Sequence, residues 1–434
     1  MIGVKCHKTG WRGTIFVSTS PVVRKHQISR RARTTMFVAT AKDGTEIHYR
    51  DGKRFLYLSA VFFPVIPTLS VLLYFTSIGV WATLIPFAYL YMFAPIVDAI
   101  IGEDTHNPPD EVMPAMASDR FYNWMVRAAV PMLWISFVAT VLLIGTQDLP
   151  WWSILALVVG AGSVSGNSIT IGHELGHKNN NTDQRFAMWA NAVVGYAHFR
   201  VEHNHGHHVL VSTPEDPASS QMGETIYSFV LREIPGALKN GWSFEANRLR
   251  KKGKSVFSPD NELLQGWAIT LTAAAILVAL LGWMVAPFIL VHHMFGWYGL
   301  TQANYVEHYG LLREKRENGR YEPCRPHHSW NTNHTFSNLI TFHLQRHSDH
   351  HSNPMRPYQT LRDFPDLPRL PSGYPGMFAL AAFPPLFFKV MDPKVMDWAG
   401  GDFSKVNVLP AKRKQLVQRW SQPAHVEPSL NVLD

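Results

Sequence analysis

The chain has 434 residues and a formal net charge of +8, from 40 Lys and Arg against 32 Asp and Glu. That length allows two or three soluble domains, or one membrane domain with large loops. Its only cysteines, Cys6 and Cys324, exclude an internal disulfide framework and any cysteine-built zinc or iron–sulfur centre.

Residues 1–42 hold no Asp or Glu and include the basic run "RKHQISRRAR". This composition resembles a transit peptide or a polybasic arm near anionic lipid, and residues 1–52 are expected to be a disordered N-terminal segment without catalytic role. An alternative is that translation starts near Met36. No apolar run in residues 1–42 is long enough for a cleavable signal peptide.

Three stretches then lack Lys and Arg altogether, at about 55–119, 128–177 and 255–312. Each contains an apolar run roughly twice the ~20 residues that cross a bilayer as helix. Each also has a turn signal near its middle, at Thr76–Gly79, Thr146–Pro150 and Gly282–Trp283. The pattern predicts three helical hairpins, six spans in all, at about 55–77, 80–101, 122–145, 150–172, 263–281 and 284–308. Every Lys and Arg lies away from the hairpin tips. The positive-inside rule therefore puts both termini and the loop 178–262 in the cytoplasm, with lipid rather than nucleic acid facing the positive charge. The run "GMFALAAFPPLFFKVM" (376–391) is broken by two prolines and is expected at the membrane interface or over the cytoplasmic side. Residues 53–395 form the membrane domain and 396–434 a C-terminal tail. The expected fold class is an all-α integral membrane protein with a His-rich helical cap in the cytoplasm.

Four histidine clusters fall on that side: "HELGHK" (173–178), "EHNHGHH" (202–208), "NYVEHYG" (304–310) and "LQRHSDHHS" (344–352). On a helix, His173 and His177 share a face at i, i+4, and so do His347, His350 and His351. His205 points away from His203, His207 and His208. Spans four and six both end in the cytoplasm, so nine histidines can meet at one membrane surface. Nine imidazoles exceed the four ligands of one zinc and suit two redox metals. Glu174, Glu202, Glu307 and Asp349 stand beside them and are expected to orient a ring by accepting its remaining N–H. Asp98, an acid at depth in the second span, is assigned the same role. His292 and His293 lie about four turns before His308, over 20 Å along a helix axis, and are not counted as ligands. His334 and His343 are weaker candidates for contacts behind the ligands. "HELGH" also matches the zinc-protease pattern, but a protease leaves the other seven histidines unexplained. A transporter would place its ligands within the spans.

Together the four motifs resemble the integral-membrane alkane 1-monooxygenases, whose pattern is H-E-L-x-H-K, E-H-x-x-G-H-H, N-Y-x-E-H-Y-G and L-Q-R-H-S-D-H-H. The resemblance covers about residues 55–395 and includes "GEDTHNPP" and "SWNTNH". It implies two non-haem irons held by His173, His177, His203, His207, His208, His308, His347, His350 and His351. It further implies terminal hydroxylation of an alkane entering from the lipid, with electrons from a rubredoxin and its reductase. Without paired cysteines the chain carries no rubredoxin of its own, so the donor is a separate protein. Lys178, Arg200 and Arg346 are the docking candidates. Membrane desaturases and xylene-type methyl hydroxylases share the looser histidine pattern and are the alternative. The resemblance places the protein in a bacterial inner membrane. An alkane tunnel is expected among spans one, two, four and six, gated by Phe62, Phe63, Tyr89 and Tyr91.

Overall fold

The computed structural model describes residues 14–17 and 36–421. The basic run at 24–33 and the last residues of the tail lie outside the described residues. The described residues of the N-terminal segment include three strands. Strands β1 (Thr14–Val17), β2 (Met36–Thr40) and β3 (Glu46–Arg50) form an antiparallel sheet in the order β1–β3–β2. Phe37 and Tyr49 are register partners, both buried, and Phe37 stacks on Tyr122 at 6.5 Å. The tight Asp43-Gly44 turn, with Gly44 at φ +86°, closes the β2–β3 hairpin. Burying two aromatic rings against the first helices outweighs what composition implied for this segment.

Among the described residues, four helices are long and apolar enough to cross a membrane: α2 (Gly79–Ile101), α3 (Arg120–Thr146), α4 (Trp151–Gly176) and α8 (Glu262–Leu281). They present large apolar side chains outward, among them Met92, Ile100, Ile135, Leu142, Leu271 and Leu280. The first expected span is the shorter α1 (Leu58–Tyr74), which passes through a 3-10 turn at Phe63–Val65 where Pro64 and Pro67 interrupt the α-helical hydrogen bonds. The sixth is α9 (Val285–His308), a 24-residue helix that buries His292, His293, Gln302, Asn304 and Glu307. Its polar inner face is what keeps it from the apolarity of a free-standing span. Two helices cover the 376–391 run, Tyr374–Ala381 and Pro384–Trp398, bent by 120° where the prolines intervene.

Two shorter connecting helices, α5 (Asn181–Ala192) and α6 (199–210), precede the long amphipathic α7 (Ile226–Lys251), which is capped by Thr225 and rests on α6 and α9. Glycines set how closely α4 can approach its neighbours. A Cβ on Gly160 would sit 2.5 Å from Phe87 N in α2, and one on Gly162 would sit 2.8 Å from His292 O in α9. Small residues thus let three backbones meet and fix the end of α4, where His173 and His177 project. Helix α10 (His347–Ser352) closes over that end.

Candidate metal centre

The structure brings all nine histidines together and sorts them into two groups. His173, His177, His203, His208 and His350 converge in one, and His207, His308, His347 and His351 in the other, with ligand atoms within 4.8 Å of one another in each. His173 and His177 follow from α4, and His308 from the last turn of α9. Helix α6 contains a π turn over His203–His207, in which the His208 amide reaches the His203 carbonyl. That widening sets His208 Nε2 3.0 Å from His203 Nε2 and turns His207 towards the other group.

The nitrogen contacts fit cations better than hydrogen bonds. His350 Nε2 lies 2.8 Å from His173 Nε2 and 3.1 Å from His208 Nε2. A single Nε2 carries either one hydrogen or one lone pair, so hydrogen bonding cannot serve both contacts. Nε2 of His177, His207 and His308 is buried with no protein partner. Burial holds the pKa of His203, His208, His347, His350 and His351 well below the ordinary imidazole value, and takes His177 down to about 3. Their lone pairs are therefore free for metal. His207 differs: burial works most strongly against its charge, but the Asp216 carboxylate, 2.9 Å from Nδ1, together with Glu202 and Glu307, raises its pKa. Asp216 is itself buried and held by Ser219 Oγ at 2.6 Å and Ala218 N at 3.1 Å. It is the ring-orienting carboxylate of the site, and it lies nine residues from its histidine in a loop that helical spacing does not reach.

A third group, Glu322, His327 and His328, has donors at metal-binding distance. His328 Nδ1 accepts from Arg325 N at 3.0 Å, so the ring hydrogen sits on Nε2 and points to Glu322 Oε1 at 3.3 Å. That leaves His328 no lone pair for a metal, and its ring is spent on the hydrogen bonds of the turn.

A cleft opens beside the two histidine groups. His173, His203, His347 and Glu307 stand at its polar end, and Phe63, Leu90, Ile169, Leu300, Ile340 and Phe378 supply apolar wall. This is the composition of a small-molecule site with a few convergent polar groups.

Comparison with known proteins agrees with this arrangement. The fatty acid desaturase family model matches residues 149–380, more than half of the chain. An alkane 1-monooxygenase of Ectopseudomonas oleovorans is 48% identical over 373 residues, 86% of this chain and 93% of that protein. Alkane 1-monooxygenase 1 of Alcanivorax borkumensis is 47% identical over 385 residues, 88% and 95% of the two chains. This chain belongs to the alkane 1-monooxygenase family, within the membrane desaturases and hydroxylases. A more distant relative, the xylene/toluene monooxygenase hydroxylase component XylM of Pseudomonas putida, is 30% identical over 233 residues, 53% of this chain and 61% of that protein.

In this alkane 1-monooxygenase relative the expected carboxylates take other places. Glu174 pairs with Lys178 at 2.7 Å. Asp349 is clamped by Arg356 at 2.6 and 2.9 Å and by Asn353 at 2.9 Å. Asp98 accepts from Ser337 N at 2.9 Å rather than from a ligand ring. Glu202 is buried with Oε1 unpartnered, behind His203 and His207 rather than on either ring's N–H. Glu307 is the exception in contact, but its Oε2 faces His347 Nε2 at 3.3 Å, the metal-facing nitrogen, while Oε1 accepts from Tyr374 Oη. Sequence spacing alone does not fix how these acids are oriented. His334 and His343 also lie elsewhere, on Thr332 at 2.6 Å and Tyr57 at 3.1 Å. His292 bonds Ser165 Oγ at 3.0 Å and His293 at 3.2 Å, outside both groups as expected.

Among the docking candidates, Arg346 is a correction. Its side chain is 3% exposed and donates to the carbonyls of Leu361, Asp104 and His106, tying the α10 turn to the 104–107 loop. Buried main-chain acceptors outcompete solvent for its fork of donors. Lys178 is paired with Glu174, and Arg200 with Glu262. Of the gate candidates, Phe62 is 61% exposed and faces outward, whereas Phe63 lines the cleft. Tyr89 packs on Phe63 at 5.8 Å, and Tyr91 Oη bonds Ser163 Oγ at 2.9 Å.

Proposed function

We propose that this protein hydroxylates the terminal carbon of medium- to long-chain n-alkanes, using dioxygen and electrons from a separate rubredoxin and its reductase. The observation that carries the reading is one apolar cleft whose polar end holds rings of both histidine groups. An unactivated C–H bond offers nothing for an acid, base or nucleophile to attack, so the hard step belongs to a redox cofactor. Two non-haem irons fit the donor set, one on His173, His177, His203, His208 and His350, the other on His207, His308, His347 and His351, and they supply dioxygen binding and reduction. The chain's own residues hold the alkane in the apolar cleft, exclude water from it, and set its end methyl against the histidines. Terminal selectivity then follows from position rather than bond strength.

The membrane arrangement is part of the same proposal: six spans, α1 to α4 with α8 and α9, with the histidines at the cytoplasmic surface of a bacterial inner membrane. The charge asymmetry of the sequence supports it. So does a groove in which Arg185, Arg200, Arg248, Lys252 and Lys254 outnumber Asp260 and Glu262, a balance that suits an acidic redox protein. The test is to express the chain with a rubredoxin and reductase, supply dodecane under isotopically labelled dioxygen, and identify products by mass spectrometry. Labelled 1-dodecanol is the expected result. Metal-loaded, reducible protein that makes no alcohol would reject the reading in favour of desaturation or an aromatic-methyl substrate.

The cleft also predicts how chain length is set. Each methylene buried contributes ~0.8 kcal/mol, about fourfold in kcat/KM, until the chain meets a wall. Phe63→Ala should extend the series, raising kcat/KM for longer alkanes by about fourfold per added carbon. Phe62→Ala, on the outward side, should leave the profile unchanged. A competition assay over an alkane mixture reads both, and an unaltered Phe63→Ala profile would show that this ring does not bound the chain.

A further inference from the structure

Behind the histidines is a second, much smaller cavity, against His203 and His207 and enclosed by Tyr196, His198, Glu202 and Glu233. About 10 Å³ of it is open to the centre of a water molecule, room for roughly one. Its walls carry an excess of unsatisfied polar atoms. Tyr196 Oη, both ring nitrogens of His198 and Glu202 Oε1 are buried without a protein partner. Buried polar atoms in that state are costly unless ordered water serves them.

Glu233 is the group at this cavity that the hydroxylase reading leaves unused. It sits in the middle of α7, 1% exposed, with Oε2 accepting from Thr301 Oγ1 at 2.8 Å and Oε1 from Asn304 Nδ2 at 3.2 Å. No cation pairs with it: its neighbour Arg232 is committed to Glu224 at 2.9 Å. The other ionisable groups around it are Asp216, Glu202, Tyr196 and His198, with His203 and His207 across the cavity. Burial foremost, with Asp216 adding and Thr301, Asn304 and Arg232 opposing, pushes its pKa up to about 7. Its partner Asn304 lies in the wall common to this cavity and the apolar cleft, as do Phe199, His203 and Leu300. One side chain therefore separates a buried, exchangeable carboxyl from the reaction space.

The proposed hydroxylation needs such a group. Its balance is RH + O₂ + 2e⁻ + 2H⁺ → ROH + H₂O, with the electrons from a one-electron redox protein. The substrate end of the cleft is apolar, and Glu307, the carboxyl within it, is engaged by Tyr374 and His347. We propose that the small cavity holds ordered water and that Glu233 delivers protons through it, past Asn304, to the reaction space. The proton leaves Glu233 Oε, and the carboxylate is reprotonated by protons from bulk solvent, relayed by the water shared with Tyr196, His198 and Glu202. This rests on the hydroxylase reading above.

The test uses the full chain in lipid nanodiscs. Glu233→Gln keeps the size and hydrogen-bonding capacity of the side chain but has no transferable proton. It should retain metal content and melting temperature, lose about 100-fold in product rate, and divert consumed dioxygen to hydrogen peroxide. Glu233→Asp should recover part of the rate. Thr301→Val removes one of the two hydrogen bonds that α9 gives Glu233 but leaves its proton, and should lose far less rate than Glu233→Gln. Independently of turnover, pH-difference infrared spectra should show a carboxylic-acid band that titrates near neutrality, shifts in D₂O and is absent from Glu233→Gln. A Glu233→Gln protein with wild-type rate and coupling, one matched by Thr301→Val, or a missing infrared band would each overturn the proposal. Wild-type protein that makes no alcohol yet shows the band would overturn the hydroxylase reading instead and leave the proton exchange of Glu233 standing.

Discussion

His308→Ala is expected to abolish hydroxylation and to cut the bound metal by about half. His308 ends α9 with both ring nitrogens buried and unpartnered, and its ring centre lies 4.9 Å from His207, 5.2 Å from His347 and 5.3 Å from His351. Without it the second group keeps three imidazoles from α6 and α10. The first group takes its rings from α4, α6 and α10 and loses none. Activity should fall by more than about 10³-fold, because no remaining side chain can attack a C–H bond. Elemental analysis of the purified protein, beside the dodecane assay, checks both parts. Retention of the full metal complement would remove His308 from the ligand set.

Asp216→Asn should weaken the same group selectively. The carboxylate lies 2.9 Å from His207 Nδ1 in a fully buried setting, where it fixes the tautomer that leaves Nε2 free for metal and raises the basicity of the ring. Replacing such a partner costs roughly 10–100-fold in metal affinity or activity. Asparagine keeps the shape but not the charge, and its amide can present a hydrogen to Nδ1, which would put the ring hydrogen on Nε2. Metal titration of apo-protein should show one class of site shifted by that factor and the other, on His173, His177, His203, His208 and His350, unchanged. Equal weakening of both classes would mean that Asp216 acts on the fold rather than on His207. Glu202, next to His203 in sequence, is a natural comparison: it touches neither ring's N–H, so Glu202→Gln should spare metal affinity.

The sequence by itself marked the apolar helices and the nine histidines that the structure brings into two groups. Those features are local: absence of charge over helix-length runs, and imidazoles at i, i+3 and i+4. It did not determine the partition. In a regular α-helix His208 would stand about 140° round from His203, yet the π turn in α6 brings their Nε2 atoms to 3.0 Å and sends the adjacent His207 to the other group. Likewise His350 leaves His347 and His351 to join the rings of α4. The same limit explains Arg346, which reads as a surface cation but is consumed by loop carbonyls, and Phe37 and Tyr49, whose sheet forms in a segment dominated by its basic neighbours. It explains Asp216 and Glu233 as well, whose partners arrive from other elements. Which residues carry the chemistry is written in side-chain type and short-range spacing. Which ring meets which depends on backbone irregularities and long-range packing, and those are settled only when the helices close on one another and every buried nitrogen must find a partner.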